Sequence, residues 1–354
     1  MRIVQLNPFH YPFMGGIEHR IHHMSKRLAR KHEVIVVTSR LEGTEREEWM
    51  DGYRVLRLDS RFISNYNPPY VSSKGVLQTL KDLGPDVVDF HYRWAPSYTR
   101  QVMKHDGKVV FTYHNTYGEG EGAMRVISHL NDWSFMRKMH AFEKVVCISE
   151  FVKEDNARHG FPIDRMCVVP NGVEMPTVTS QEGGFILSLG RMVHTKGLEY
   201  LLQAMRDVDA KLIVAGAGPE RERMEELSRR YSLANKVQML GRVSEERKQE
   251  LFATCTLFVM PSLFESYGIA AAEAMSFGKA VVATNVGGLP EVVADCGVLV
   301  PPRDPGALAR AINSLLADQK RRQDLGQMAK ARASLYSWDR VADLQEQVYI
   351  QVVG

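Results

Sequence analysis

Short runs of β-branched and aliphatic residues alternate with longer amphipathic stretches, and they do so in two successive sets separated by one interruption. This is the pattern of parallel strands covered by helices. In the first set the strand candidates are 2–6 (RIVQL), 33–38 (EVIVVT), 86–90 (DVVDF), 108–113 (KVVFTY) and 144–148 (KVVCI), most of them continuous apolar runs, as strands buried on both faces should be. Between the first two, Ile17, Ile21, Met24 and Leu28 recur at helical spacing and predict a helix over 17–30. The interruption, 170–184 (PNGVEMPTVTSQEGG), carries two Pro and three Gly and reads as a linker. The alternation then restarts at 185–189 (FILSL), 210–215 (AKLIVA), 236–240 (KVQML), 256–260 (TLFVM), 279–284 (KAVVAT) and 297–300 (GVLV).

The expected fold is α/β, with two Rossmann-like domains over 1–172 and 173–337. The amphipathic segment 338–354 (Trp338, Val341, Leu344, Val348) is expected to pack back on the first. A length of 354 residues gives each domain enough chain to bury a core. Ligands of open parallel sheets bind beyond the carboxyl ends of the strands, so two such sheets facing across a hinge would enclose a ligand cleft. No apolar run is long enough for a membrane span, and MRIVQLNPFHYPF, with a single basic residue, does not read as a signal peptide. Cys147, Cys167, Cys255 and Cys296 form no CxxC pair and read as reduced, mostly buried thiols of a cytoplasmic protein. A net charge of +3 is too small to argue for nucleic acid. Eleven of the twelve histidines fall in the first half. They read as solvated surface groups.

The sharpest local feature is Glu265-Ser-Tyr-Gly-Ile-Ala-Ala-Ala-Glu273, after the strand at 256–260 and a turn at Pro261-Ser262. Gly268 to Ala274 is a good helix start, so the amides of Tyr267, Gly268 and Ile269 would offer free donors, and the helix dipole, to an anion. Glu265 suits sugar hydroxyls and Glu273 a ribose, weighed against a merely solvated Glu273. Gly190-Arg191-Met-Val-His-Thr-Lys196-Gly197 follows strand 185–189 and puts a guanidinium fork and a mobile ammonium within reach of one diphosphate. It is not a P-loop. Gly15-Gly16, between the first strand and the first helix, would let backbone approach a phosphate, or is a plain tight turn. His114 ends strand 108–113 at its carboxyl edge, where a ligand belongs, although structural histidines also occupy such places.

Three features are set aside. Asp207-Val-Asp209 has the DxD pattern of a metal site but precedes a strand, at the wrong edge. Gly216-Ala-Gly218-Pro opens like a dinucleotide fingerprint but has Arg221 in place of the third glycine. In 118–140, Met124, Ile127, Leu130 and Trp133 are read as core in preference to a membrane-facing stripe.

Taken together, GGIE at 15–18, FTYHN at 111–115, NGVE at 171–174, GRMVHTKG, VAGAGP at 214–219 and ESYGIAAAEA resemble family 4 of the retaining glycosyltransferases, in order over nearly the whole chain. The resemblance implies a GT-B fold, an N-terminal acceptor domain, a C-terminal donor domain, no metal or other cofactor, and transfer of a hexose from a nucleotide-diphosphate sugar (UDP- or GDP-linked) to a hydroxyl acceptor, lipid or glycan, giving an α-linkage. By position it implies that Gly16, Arg191 and Lys196 hold the diphosphate. Glu265 with the amides of Tyr267, Gly268 and Ile269 would meet the sugar and phosphate, and Glu273 the ribose. His114 would lie near the sugar and the attacking hydroxyl, and Gly241-Arg242-Val243 near the base. The implied mechanism has the hydroxyl attack from the face the phosphate leaves, a phosphate oxygen taking its proton. A nucleotide-sugar hydrolase or epimerase of the same fold, a dinucleotide-dependent dehydrogenase and a non-catalytic sensor are the rival readings.

Overall fold

The computed structural model describes residues 1–63, 70–118, 123–178 and 180–354, with helix side chains from residue 126 onward in the segment that starts at 123. The chain forms two compact units, Met1–Gly172 with Trp338–Gly354, and Val173–Ser337. The fold is α/β and Rossmann-like in each.

In the first unit the strands are β1 (Arg2–Leu6), β2 (Glu33–Ser39), β3 (Glu47–Met50), β4 (Tyr53–Leu58), β5 (Ser60–Phe62), β6 (Val71–Ser73), β7 (Val87–Phe90), β8 (Val109–Tyr113), β9 (Lys144–Cys147) and β10 (Met166–Val168). The helices are α1 (Gly16–Leu28), α2 (Val76–Leu83), α3 (Pro96–Val102), α4 (Ala123–Met139) and α5 (Glu150–Arg158). Eight strands form one sheet in the order β10-β9-β8-β7-β1-β2-β4-β3, and β5 and β6 form a separate hairpin. Every pairing in the large sheet is parallel except β3 with β4.

The second unit has β11 (Phe185–Leu189), β12 (Lys211–Ala215), β13 (Val237–Gly241), β14 (Leu257–Met260), β15 (Ala280–Thr284) and β16 (Val298–Val300). They pair in parallel in the order β13-β12-β11-β14-β15-β16. Its helices are α6 (Leu198–Ala204), α7 (Arg221–Arg230), α8 (Glu245–Thr254), α9 (Ile269–Ser276), α10 (Leu289–Val293), α11 (Pro305–Ala317) and α12 (Gln319–Ser334). Its core is aliphatic, from Ile186, Leu212, Leu257 and Val282 on the sheet to Leu201, Leu308 and Ile312 on the helices.

The last helix, α13 (Trp338–Val353), belongs to the first unit, where Trp338, Val341, Val348 and Tyr349 join Ile21, Met24 and Leu28 in one core. Leu344, expected on the buried stripe, is 40% exposed, and Gln345 is buried instead. The reason is a buried guanidinium. Arg20 donates to the carbonyls of Pro170 (2.6 Å) and Val169 (3.2 Å), to Asn171 Oδ1 and to Gln345 Oε1. A buried polar group must be hydrogen-bonded, so α13 turns Gln345 inward. A Cβ on Gly172 would stand 2.3 Å from the Trp338 ring, which accounts for the glycine of the 171–174 motif.

The histidines are not all surface groups. His10 and His91 are buried, and burial, reinforced by His22 and Arg57, pushes His10 down to about 3. Burial likewise brings His22 and His91 to about 4. Tyr53 Oη links His10 Nε2 (3.0 Å) to His22 Nδ1 (2.8 Å). Glu18 moves the other way, raised by burial to about 7. An unfolded chain takes protons on these histidines near pH ~6.5, where the native one does not, so stability falls as pH drops from there towards ~4, each group contributing up to ~1.4 kcal/mol per pH unit. Glu18 opposes, since the native carboxyl keeps its proton up to about pH 7, but one acid is outnumbered by three bases. All four tryptophans (Trp49, Trp94, Trp133, Trp338) lie in the first unit, so their fluorescence follows its unfolding alone. The urea midpoint seen by tryptophan should be lower at about pH 5 than at about pH 7.5; an unchanged or higher midpoint at the lower pH would contradict the buried neutral histidines.

Candidate active site

In a doubly wound sheet the connections run to opposite sides of the strand where the order reverses, and their loops part there. In the second unit the reversal lies between β11 and β14. Arg191 and Lys196 follow β11, and Glu265 follows β14. The lysine and the glutamate meet in an ion pair between Lys196 Nζ and Glu265 Oε2, both side chains partly buried. Arg191 is exposed. With Gly190, Ser188, Met260, Pro261 and Ser262, Arg191 and Lys196 line a small pocket at this edge.

Close backbone contacts hold the loops. Lys196 ends a 3₁₀ turn, His194–Lys196, closed by Gly197 at φ +63°. A Cβ there would be 2.1 Å from the carbonyl oxygen of Pro261, so only glycine lets the two loops lie together. The Thr195 carbonyl accepts from the amides of Leu263 (2.7 Å) and Phe264 (3.3 Å). On the other side the Gly288 amide donates to the Glu265 carbonyl at 2.9 Å, and a Cβ on Gly287 (φ +57°) would lie 1.8 Å from that oxygen. The Gly287-Gly288 pair carries a signal that the sequence reading passed over. Gly216 and Gly218 have the same purpose, since their Cβ atoms would meet Gly190 O and Met192 O at 1.9 and 2.2 Å. That packing accounts for the glycines of the dinucleotide-like run.

Tyr267 is buried, and Gly268, at φ +106°, caps α9, which begins at Ile269. The first amides of any helix have no carbonyl within it to bond, so Gly268 and Ile269 stand at an anion-favouring end. One turn along, Glu273 is not a solvated glutamate: its Oε1 pairs with Lys248 Nζ of α8 at 2.7 Å, and Lys248 also bonds Glu245 at 2.8 Å. Lys248 escaped the sequence reading because its surroundings, EERKQE, look like any charged helix face. Val243 lies just after β13, before Ser244, which caps α8. Asp207 sits in the turn before β12, at the amino edge, away from these loops.

In the first unit the reversal lies between β1 and β7. Gly16 opens α1, which starts one residue before the expected 17 and stops at Leu28 rather than 30, and Gly15 caps it. The buried Glu18 carboxyl lies in the first turn, 3.1 Å from Asn7 Nδ2, and a Cβ on Gly15 would meet its Oε2 at 2.4 Å. His114 follows β8 and His91 follows β7, with His91 Nδ1 and His114 Nε2 3.1 Å apart. Burial, then the charges of His91, Arg20 and Arg93, hold His114 well below the ordinary histidine range. His91 carried the same signal as His114, a histidine directly after an apolar strand.

A further expectation fails on α4. Ile127, Leu130 and Trp133 are 49%, 65% and 52% exposed, with Val126 beside them; the side chain of Met124 lies outside the described residues. The inner face of α4 is taken by Ser128, Asp132, Phe135 and Met139. Asp132 is drawn inward by Arg93, whose Nε lies 2.6 Å away, and a buried charge needs its partner.

The class follows from comparison with known proteins. Residues 14–175 match the family described as Glycosyltransferase Family 4, and residues 176–332 match Glycosyl transferases group 1. The chain belongs to this family of glycosyltransferases with the GT-B fold. It is 28% identical over 372 aligned positions, spanning 99% of this chain and 81% of the other, to a phosphatidylinositol N-acetylglucosaminyltransferase subunit of Arabidopsis thaliana. It is 32% identical to a D-inositol 3-phosphate glycosyltransferase of Xylanimonas cellulosilytica, over 60% of this chain and 57% of that one. Among solved structures, sucrose-phosphate synthase from Thermosynechococcus elongatus superposes with a TM-score of 0.83 at 22% identity, over 99% and 98% of the two chains. Anabaena HepE in complex with UDP and glucose gives 0.81 at 19%, over 99% and 100%.

Proposed function

We propose that the protein transfers a hexose from a nucleotide-diphosphate sugar to a hydroxyl acceptor with retention, forming an α-glycosidic bond and using no metal. The observation that carries this reading is the meeting of Lys196 and Glu265 at the strand-order reversal, beside Arg191 and the N-terminus of α9. Without a ligand, Glu265 is the counter-ion that holds Lys196 in place. With a donor bound, Lys196 and Arg191 turn to the diphosphate and Glu265 to the sugar hydroxyls. Cationic donors preorganised around a leaving group stabilise the charge that develops there. Gly16 is assigned to the phosphate as the family resemblance implies, and the Glu18 carboxyl of the same helix turn, raised by burial to about 7, carries only part of its negative charge near neutral pH. His114, neutral, is assigned to the sugar and the attacking hydroxyl. UDP suits the donor because HepE, of like fold, is described with UDP and glucose. A GDP-linked sugar is the alternative donor.

The assignment of the two glutamates is tested by calorimetric titration with the free nucleoside diphosphate, which has the ribose but no sugar. Glu273→Gln should weaken binding clearly, since hydrogen bonds to a charged group contribute ~1.5–3 kcal/mol each, and Glu265→Gln should change it little. Both titrations should give the same result in excess EDTA. Equal losses in the two variants, the reverse order, or binding that disappears on chelation would refute the assignment.

We take the acceptor to be carried on a lipid, in keeping with the phosphatidylinositol in the names of relatives 24–28% identical. Among the described residues no helix is long and apolar enough to cross a membrane. The exposed Val126, Ile127, Leu130 and Trp133, with the Arg137 guanidinium 3.8 Å over the Trp133 ring, give α4 an apolar face edged by positive charge, which suits the surface of an anionic bilayer. Leu130→Glu with Trp133→Glu should reduce co-sedimentation with vesicles containing phosphatidylinositol while leaving nucleotide binding intact; sedimentation equal to that of the native protein would exclude this face.

A further inference from the structure

A chain of buried hydrogen bonds runs from His114 to the last helix, and its direction is fixed at one end. Tyr349 of α13 is buried and its Oη lies 2.5 Å from Asp89 Oδ2, at the end of β7. Asp89, 1% exposed, also accepts from Thr112 Oγ1 at 2.7 Å and from Gln345 Nε2 at 3.3 Å. Burial and the nearby Asp89 charge hold the Tyr349 hydroxyl well above its ordinary value, so it stays protonated and donates its one hydrogen bond to Asp89.

The rest follows from counting donors. A hydroxyl has one proton. With that O–H donated to the Asp89 carboxylate, the Tyr349 oxygen can only accept from its other neighbour, Gln5, 2.8 Å away. Gln5 must therefore turn its Nε2 to Tyr349 and its Oε1 to His91 Nε2, at 2.7 Å. An amide oxygen cannot donate, so His91 Nε2 carries a hydrogen. Burial keeps His91 neutral, near a value of about 4, so its Nδ1 is bare and can only accept. The atom facing it at 3.1 Å is His114 Nε2, which must donate.

We propose that His91, Gln5 and Tyr349 are positioning residues that lock His114 in the Nε2–H tautomer, leaving its Nδ1 as a hydrogen-bond acceptor. On the reading of His114 as a sugar-site residue, on which this rests, the ligand group met by Nδ1 is a donor, such as a hydroxyl, and a carbonyl or phosphate oxygen is refused there. The second nitrogen of a functional histidine is commonly held in this way by a partner behind it. Here the partner is a second histidine, and the chain behind that one ends on a helix formed by the last residues of the sequence.

The tautomer is read by long-range ¹H–¹⁵N correlation on protein labelled with ¹⁵N-histidine near neutral pH, His114 being identified by the signal lost in His114→Gln. In the native protein His114 Nε2 should have the shift of a protonated nitrogen and Nδ1 that of a bare one. His91→Phe, which removes the acceptor, should bring both towards an average. His91→Asn, whose Oδ1 can take the place of Nδ1, should restore the native pattern. Tyr349→Phe, which frees the Gln5 amide to turn, should loosen it, and this variant and the native spectrum decide the matter if His91→Phe does not fold. A proton on Nδ1 in the native protein, which would mean the chain runs the other way from a protonated Asp89, overturns the proposal. So does a tautomer unchanged in both His91→Phe and Tyr349→Phe. Transferase activity of His114→Ala is measured separately: full activity would remove His114 from the sugar site while leaving the tautomer result as it stands.

Discussion

The parallel pairing of β11 with β14 is the constraint on which the candidate site of the second unit depends. Ile186 and Leu187 lie in register with Leu257 and Phe258, and the chain leaves these strands in opposite directions, to β12 on one side and β15 on the other. Arg191 and Lys196 on one loop are thereby brought to Glu265 on the other, although 69 residues separate Lys196 from Glu265 in sequence. No local propensity could do this. The apolar strands fix the register, and the register sets where the loops part.

The loops then need backbone contacts that ordinary residues would prevent. Gly197 against Pro261, Gly216 against Gly190 and Gly287 against Glu265 are all approaches closer than a Cβ allows. Glycine costs conformational entropy when it is ordered. Its use in the loops after β11, β12 and β15 lets one sheet edge pack closely. A lysine and a glutamate already paired on closely packed loops are positioned before a ligand replaces one partner of the pair, and preorganisation of this kind favours electrostatic stabilisation. The first unit is organised differently. It carries a buried polar layer, with Arg20 tying the chain at 169–171 to α13 and Asp89 gathering Thr112, Gln345 and Tyr349.

The continuous apolar strands could be read from the sequence nearly residue by residue: 2–6 and 185–189 are observed at those bounds, and most others within one residue. β3 and β4 could not. Burial alternates along YRVLRL, but Arg57 stands on the buried face and Leu56 and Leu58 on the other, so the apolar residues show no period of two; Arg54 is paired with Glu47 at 2.6 Å. Helix faces were misread where a buried charge decides them. Arg20 pulls Gln345 inward in place of Leu344, and Arg93 pulls Asp132 inward, which turns Ile127, Leu130 and Trp133 outward. Hydrophobic periodicity has no term for such a pairing. At the site, the residue types and their place after strands were legible, because a ligand edge is a topological property. The partners, Lys248 for Glu273 and His91 for His114, were not, since each depends on which elements become neighbours.

The central claim is that the second unit holds a nucleotide-diphosphate sugar through Lys196 and Arg191. A thermal-shift panel of UDP-, GDP- and ADP-linked sugars tests it most directly, because a ligand that binds only the native state raises the midpoint, its stabilisation growing with the logarithm of its excess over the dissociation constant and reaching ~2.7 kcal/mol at a hundredfold excess. The account expects at least one of these sugars to raise the midpoint of the native protein and to lose most of that effect with Lys196→Ala. No response to any of them, or a response that Lys196→Ala leaves intact, would contradict it.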